Sequence, residues 1–455
     1  MPIAAVPAYL GQDFSTASPG MRFGMYLPIW TSTPDLRQEL RTRASKGSPE
    51  AREILSLMED VGVDAAITAL QARSSSKLPQ VWFKNDFGAR EAWNKIIRLT
   101  HNDQAAMQAL VMRQEHLASQ SPDMLILDAV ATAPFTTGLG NEHPLENGFS
   151  FLTPYGLPYL PGSGIKGVLR QAARELASGE WGNSQGWQTD ISFPLSLRGK
   201  PDLELSMLDA LFGRETDDGD SQHVRGAISF WDAIPQIKGG QLAVDIMTPH
   251  QKDYYQPQGG GKSHVSKSPH DRGDPNPISF LTVPPGTAFC FHAQCDLAHL
   301  QRLAPALAQD GQWRTLLSAA FAHAFAWLGF GAKTAVGYGA MQLDTSAQYR
   351  REQAQAQAAQ QAKLATLSEA QRQIEVFVQE FRAKLESLRG SKENPNAVFH
   401  GKARALAKLA QESADWSPDE KRLAAESIEE WLPQVVRVDM KDERKKLKLA
   451  SLKAQ

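Results

Sequence analysis

Hydrophobic positions change their spacing along this 455-residue chain, and each change predicts a different architecture. Between residues 35 and 118, Ile54, Leu55, Met58 and Val61 recur at helical intervals, with Pro34-Asp35 and Ser48-Pro49-Glu50 as helix starts. From residue 123 the spacing shortens. Leu125, Leu127 and Ala129 alternate with Met124, Ile126 and Asp128, the pattern of a strand covered on both faces. Beyond about residue 345 alternation ends, and residues 349–388 are rich in Ala, Gln, Glu, Arg and Lys, with Ile374, Val376, Phe377, Phe381 and Leu385 as apolar anchors. Further helical segments are predicted at 396–412, 418–432 and 437–453, the last carrying Arg444-Lys445-Lys446-Leu447-Lys448. The pattern divides the chain into a helical N-terminal extension (1–120), an α+β core (121–345) and a helical C-terminal extension (346–455).

Within the core a strand at 123–133 precedes a glycine loop and a helix at 164–177. Strands at 224–233 and 279–293, a helical stretch at 297–328 and a last strand at 337–343 follow. With insertions set aside this is β-α-β-β-α-β, a ferredoxin-like (RRM-like) order with an open antiparallel sheet, which serves RNA among many other ligands. Net charge narrows little: at -2 there is no bulk basicity, so any nucleic-acid contact must come from a local patch or be shared with partner chains. Two cysteines, Cys290 and Cys295, lack the companion ligands of a zinc site and read as reduced thiols; no metal and no cofactor is expected. Met1-Pro2-Ile3-Ala4-Ala5 has no basic leader region, and the apolar stretch from Phe321 to Leu328 is too short to span a bilayer, so a cytoplasmic protein without membrane contact is expected.

Two glycine-studded segments carry the candidate chemistry. Gly162-Ser163-Gly164-Ile165-Lys166-Gly167 opens a helix whose apolar stripe is Ile165, Val168, Leu169, Ala172 and Leu176, while Lys166, Arg170 and Arg174 stand on another face at i, i+4 and i+8. A row of cations beside a helix N-terminus suits a run of phosphates; the plain alternative is a solvated basic face. The spacing satisfies G-x-G-x-x-G, but Pro158 and Pro161 break the strand that a dinucleotide site requires. The second segment sets Gly329, Gly331, Lys333, Gly337, Tyr338 and Gly339 between a helix and the last strand. Four glycines exceed what a helix cap needs, so close approach of another backbone is expected; Tyr338 is either a base-stacking ring or a buried one. A third candidate is the polar, cationic insertion at 248–277, with His250, Lys252 and Lys262. Its Gly259-Gly260-Gly261-Lys262-Ser263 is not a P-loop, because Gln256 stands where the first glycine is required.

The run from Gly138 to Phe149, with Asn141-Glu142-His143-Pro144, and the run Thr153-Pro154-Tyr155-Gly156-Leu157-Pro158-Tyr159-Leu160-Pro161-Gly162-Ser163-Gly164-Ile165-Lys166-Gly167 resemble the RAMP superfamily of CRISPR proteins. Leu211-Phe212-Gly213, Gly226-Ala227-Ile228-Ser229-Phe230-Trp231-Asp232-Ala233, Asp245-Ile246-Met247-Thr248-Pro249-His250 and Asp274-Pro275-Asn276-Pro277-Ile278 narrow the resemblance to the sixth-subunit family of type III-B Cmr effector complexes, over about 123–345. Gly164 departs from it, standing where many RAMP loops have a second serine.

The resemblance implies a non-catalytic subunit that binds guide RNA toward the guide 3′ end, stacked on the repeated backbone RAMP subunit and beside a second terminal RAMP subunit. It places the guide backbone on Gly162, Ser163, Gly164, Lys166, Arg170, Arg174 and the 329–339 loop, and makes the insertion a thumb at the duplex of guide and target RNA, with base pairing reading the sequence. Two alternatives stand beside it: a guide-processing endoribonuclease using His143 or His250 as general base, and an RNA-independent assembly subunit whose glycine loops serve only packing.

Overall fold

The computed structural model describes residues 3–32, 92–196, 202–214, 222–248, 277–388 and 391–453, with short stretches between 38 and 84. It forms two compact units, residues 1–348 and 349–455.

The first unit mixes helices with antiparallel sheets. Its centre is a four-stranded sheet made of β1 (Met124–Ala131), β2 (Ile228–Phe230), β3 (Ala288–Cys295) and β4 (Met341–Leu343), in the spatial order β2-β3-β1-β4. Helix α1 (Gly162–Ser178) lies between β1 and β2 in the chain, and helix α2 (Gln312–His323) between β3 and β4. Every neighbouring pair is antiparallel. Helix α1 forms where the sequence predicts it: Ile165, Leu169, Ala172 and Leu176 are buried at helical spacing, and Gly179 ends the helix at φ +74°, a left-handed value that favours glycine.

Several predicted elements are shorter than expected. The strand expected at 279–293 is two strands. Ile278–Thr282 pairs with Ala243–Met247 in a separate hairpin, and Pro284-Pro285-Gly286 breaks the chain before β3, since proline offers no ladder N–H and Gly286 turns at φ +78°. The strand expected at 224–233 divides at Gly226, with Val224–Arg225 pairing with Gly213–Arg214 while β2 joins the main sheet. The last strand starts at Met341, because Gly337 and Gly339 turn at φ +94° and +71°. Pro305 and a left-handed Gly311 interrupt the helical stretch at 297–328, which ends in a single π-helical turn, Ala324–Leu328.

The centre of the sheet is not open. In β3 five consecutive residues, Phe289, Cys290, Phe291, His292 and Ala293, are buried, so side chains on both faces are covered. On one face Phe291 meets Phe321, Phe325 and Phe330 at ring separations of 5.4, 5.6 and 5.2 Å. On the other, Trp231 stacks on His292 at 5.3 Å. Both cysteines are buried thiols outside any disulfide, and burial foremost pushes the Cys295 thiol up to about 12, so it stays protonated and inert.

Among the described residues ahead of β1, Pro19–Phe23 and His101–Ser119 are helical, but Trp30–Ser32 pairs with Trp82–Lys84 as strands, so this part is not purely helical. Arg22 ties the region together. Its guanidinium donates to the carbonyls of Lys95 and Arg98 and lies 3.7 Å from Asp103, which itself completes a capping box with Thr100. Residues 349–455 form a separate helical unit with its own core. Helices α3 (Glu369–Ser387), α4 (Val398–Glu412) and α5 (Pro418–Val435) bury Phe377, Phe381, Ala407, Ile428 and Leu432, and Ser368 and Ser417 head α3 and α5 with capping boxes.

Candidate nucleic-acid interface

Gly162 sits against edge strand β2 so closely that a Cβ there would lie 2.2 Å from the Phe230 carbonyl oxygen. This contact brings the first turn of α1 beside the hairpin formed by Gly213–Arg214 and Val224–Arg225. A cleft of about 360 Å³ opens between them, lined by Gly162, Ser163, Lys166, Arg214, Arg225 and Ser229 among others. Three cationic side chains therefore surround one helix start. Lys166 makes no ion pair among the described residues. Arg225 is exposed and holds Asp296 at 2.6 Å, a solvent-screened surface pair that an anion can exchange. Arg214 donates to the Glu204 carbonyl at 3.1 Å.

The helix terminus is already partly served. Asp232 Oδ1 accepts from the Gly162 amide at 2.7 Å, which places a carboxylate at the positive end of the helix. The next two amides, those of Ser163 and Gly164, have no carbonyl four residues back within the helix. Both residues are exposed, and a Cβ on Gly164 would meet nothing closer than 3.8 Å. The predicted row of cations splits: Lys166 lines the cleft, whereas half-buried Arg170 and exposed Arg174 do not.

The second glycine segment is a packed corner. Phe330 is fully buried, and its amide donates to the Gly339 carbonyl while Gly339 donates to the Pro134 carbonyl. A Cβ on Gly339 would lie 1.8 Å from the Phe330 carbonyl oxygen, and one on Gly331 2.3 Å from that of Thr136. The other backbone that the four glycines anticipate is thus the chain's own. Lys333 holds a left-handed φ of +61°, with its ammonium 5.6 Å from the Phe280 ring centre. The Tyr338 hydroxyl donates to Asp245, and its ring lies 5.7 Å from that of Phe280. Burial foremost, with the Asp245 contact, pushes the phenol up to about 12.

Asp245 and Phe280 belong to the hairpin that flanks the 248–277 insertion, so the glycine corner and the root of that insertion share one site. His250, Lys252 and Lys262 lie outside the described residues. The two glycine segments are held apart. Phe230 registers through Ala293 onto Leu125, while the corner packs beyond Ala131; six residues of strand, at about 3.3 Å each, separate the two levels by roughly 20 Å. His143 is committed: its Nδ1 accepts from the Leu145 amide at 3.1 Å, so Nε2 carries the proton toward the Phe23 carbonyl at 2.7 Å, and the ring stacks on Phe23. No group of three metal-ligating side chains occurs among the described residues, and no helix among them is long and apolar enough to cross a membrane.

The RAMP superfamily model matches residues 128–342, the stretch that contains the sheet, α1, the cleft and the glycine corner. That stretch is similar to the RAMP superfamily. A related protein is the CRISPR system Cmr subunit Cmr6 of Pyrococcus furiosus, 32% identical over 233 residues, covering 44% of this chain and 63% of that subunit's own length. Solved structures that overlay on the chain include a type III-B Cmr-beta complex bound to cognate target RNA (20% identity, 56% of this chain and 70% of that one, TM-score 0.35) and Cmr6 of Pyrococcus furiosus (27% identity, 48% and 96%, TM-score 0.26).

Of the residues that line this cleft, the sequence singled out Gly162, Ser163 and Lys166 but not Arg214 or Arg225. Their signal was faint: each flanks a glycine, in Gly213-Arg214 and Arg225-Gly226, and only strand pairing of Gly213 with Arg225 brings the two arginines to one wall.

Proposed function

We propose that the chain is a non-catalytic, guide-RNA-binding subunit of a type III-B CRISPR effector complex in the cytoplasm, seated toward the guide 3′ end and capping the backbone subunits. The match to the RAMP superfamily over residues 128–342 and the sequence relation to Cmr6 support the complex. The strand order β2-β3-β1-β4 with intervening α1 and α2 supports a ferredoxin-like RAMP core. The observation that carries RNA binding is the cleft at the start of α1, where Lys166, Arg214 and Arg225 converge beside exposed backbone. A sugar–phosphate chain meets there the two features it needs, cationic side chains and unencumbered amides, with no base readout required of the protein. Guide RNA with its paired target, the backbone RAMP subunit and a second terminal RAMP subunit are the partners of this reading, in which the 248–277 insertion acts as a thumb at the duplex.

The endoribonuclease alternative loses one of its two bases, since the His143 lone pair is occupied. An RNA-independent assembly role fits the glycine corner but leaves the cationic cleft without a use. Titrating the full chain with single-stranded guide-length RNA across a salt series tests the proposal: three phosphate contacts give a slope of log K against log salt of about -2. Lys166→Glu/Arg225→Glu is expected to flatten that slope, and the RNA is expected to stay intact with or without divalent ions. A salt slope unchanged in the double variant refutes the cleft, and cleaved RNA refutes the non-catalytic assignment.

A further inference from the structure

The amino-terminal part of the first unit holds a second cavity, of about 240 Å³, between residues 12–28 and 94–98. One portion of its lining is aromatic: Phe14 and Tyr26 are half-buried and stacked at 4.1 Å with their planes 4° apart, a stiff flat surface. Another portion is cationic, from Arg22, Lys95 and Arg98. Lys95 and Arg98 are exposed, and neither side chain makes an ion pair among the described residues.

Arg22 differs in kind. It is only 4% exposed, and its two terminal nitrogens are fixed by the Lys95 and Arg98 carbonyls. Its Nε–H is buried with no acceptor among the described residues. Such a donor is costly to leave unserved, so its acceptor comes from outside the described residues, from solvent or from a bound molecule. The lining also has an acidic pole. Asp13 faces the cavity, and the Ser15 hydroxyl and amide hold its carboxyl below the usual carboxylate range, so it stays ionised.

A simple anion engages only the cations and is repelled by Asp13. A ligand that uses the whole lining carries a phosphate, a flat ring and an N–H donor on that ring, which together describe a nucleotide. We propose that this cavity binds one phosphorylated nucleoside unit, with phosphate on Lys95 and Arg98, base against the Phe14–Tyr26 surface and a base N–H toward Asp13. Two sources share this chemistry, a free nucleotide and the terminal nucleotide of a single strand. The site is distinct from the cleft at α1 and stands or falls without it.

Calorimetric titration of the full chain decides the matter, with the four nucleoside 5′-monophosphates, inorganic phosphate and a 5′-phosphorylated tetraribonucleotide as probes. At least one monophosphate is expected to bind with a sub-millimolar dissociation constant, about tenfold or more tighter than inorganic phosphate. Lys95→Glu/Arg98→Glu and, separately, Phe14→Leu are expected to weaken it by about tenfold with the melting temperature retained, whereas Lys166→Glu/Arg225→Glu leaves it unchanged. Tetranucleotide affinity equal to that of the monophosphate supports the pocket as a strand-end site, and exclusion of the tetranucleotide supports it as a free-nucleotide site. No binding by any nucleotide at millimolar concentration, equal binding of phosphate alone, or affinity indifferent to both pocket variants overturns the proposal.

Discussion

The two glycine segments of the first unit look alike in sequence and are opposite in construction. At the start of α1 only Gly162 is fixed by packing; Gly164 and Gly167 have open space where a side chain would go, and cations stand nearby. In the 329–339 corner, Gly331 and Gly339 are consumed by backbone contacts to Thr136 and Phe330, and Gly329 lies against Tyr338 and Gly339. One segment leaves backbone exposed, and the other welds the end of the α2 region to the chain after β1. Glycine content therefore marks close approach without saying whether the approaching group is a ligand or the protein itself.

The sharpest way to break this comparison is a methyl group in each place. Gly339→Ala adds a Cβ 1.8 Å from a carbonyl oxygen at φ +71° and is expected to cost more than about 3 kcal/mol, read as loss of the folded state in urea. A corner that tolerates alanine is not packed as described. The next effect in size belongs to the cleft: Lys166→Glu/Arg225→Glu is expected to lower RNA affinity by about 10- to 100-fold while the urea midpoint stays in place. Equal loss of RNA binding on reversal of Arg174, which lies outside the cleft, contradicts the assignment of roles along α1.

Tyr338→Phe removes the hydroxyl that holds Asp245 and is expected to cost about 1 kcal/mol. The folded-state value for this phenol, about 12, lies above its ordinary value of 10.0, so its contribution is fully present below pH 10 and is lost as pH rises toward 12. Parent protein should lose stability across that alkaline window more steeply than the phenylalanine variant; parallel curves remove Tyr338 as the cause. The smallest effect is a gain. Gly167→Ala, in the open middle of α1, is expected to stabilise by about 0.5–1 kcal/mol with RNA binding retained, because alanine restricts the unfolded chain and collides with nothing.

Much of the fold was legible from local pattern. The buried stripe Ile165, Leu169, Ala172 and Leu176 fixed α1, and the alternation at 124–129 fixed β1, because side-chain direction in regular elements follows sequence spacing alone. The breaks were less visible: Pro284-Pro285-Gly286 is flanked by apolar residues on either side, and the two strands it separates enter different sheets. For the site, Lys166 was legible since its helix and loop are contiguous in sequence, whereas Arg214 and Arg225 needed a hairpin to meet it.

The chain's own residue order determined the strand and helix periodicities, the motif set that resembles the RAMP superfamily and the presence of two lysine-bearing glycine segments. Tertiary structure alone decided which segment stays open, that Arg214 and Arg225 join Lys166, that Asp232 caps α1, and that the two segments lie about 20 Å apart along the strands. The physical reason is range. Spacing rules act over a few residues of backbone, while clefts and packed corners arise from contacts between segments tens to hundreds of residues apart, whose geometry no local pattern encodes.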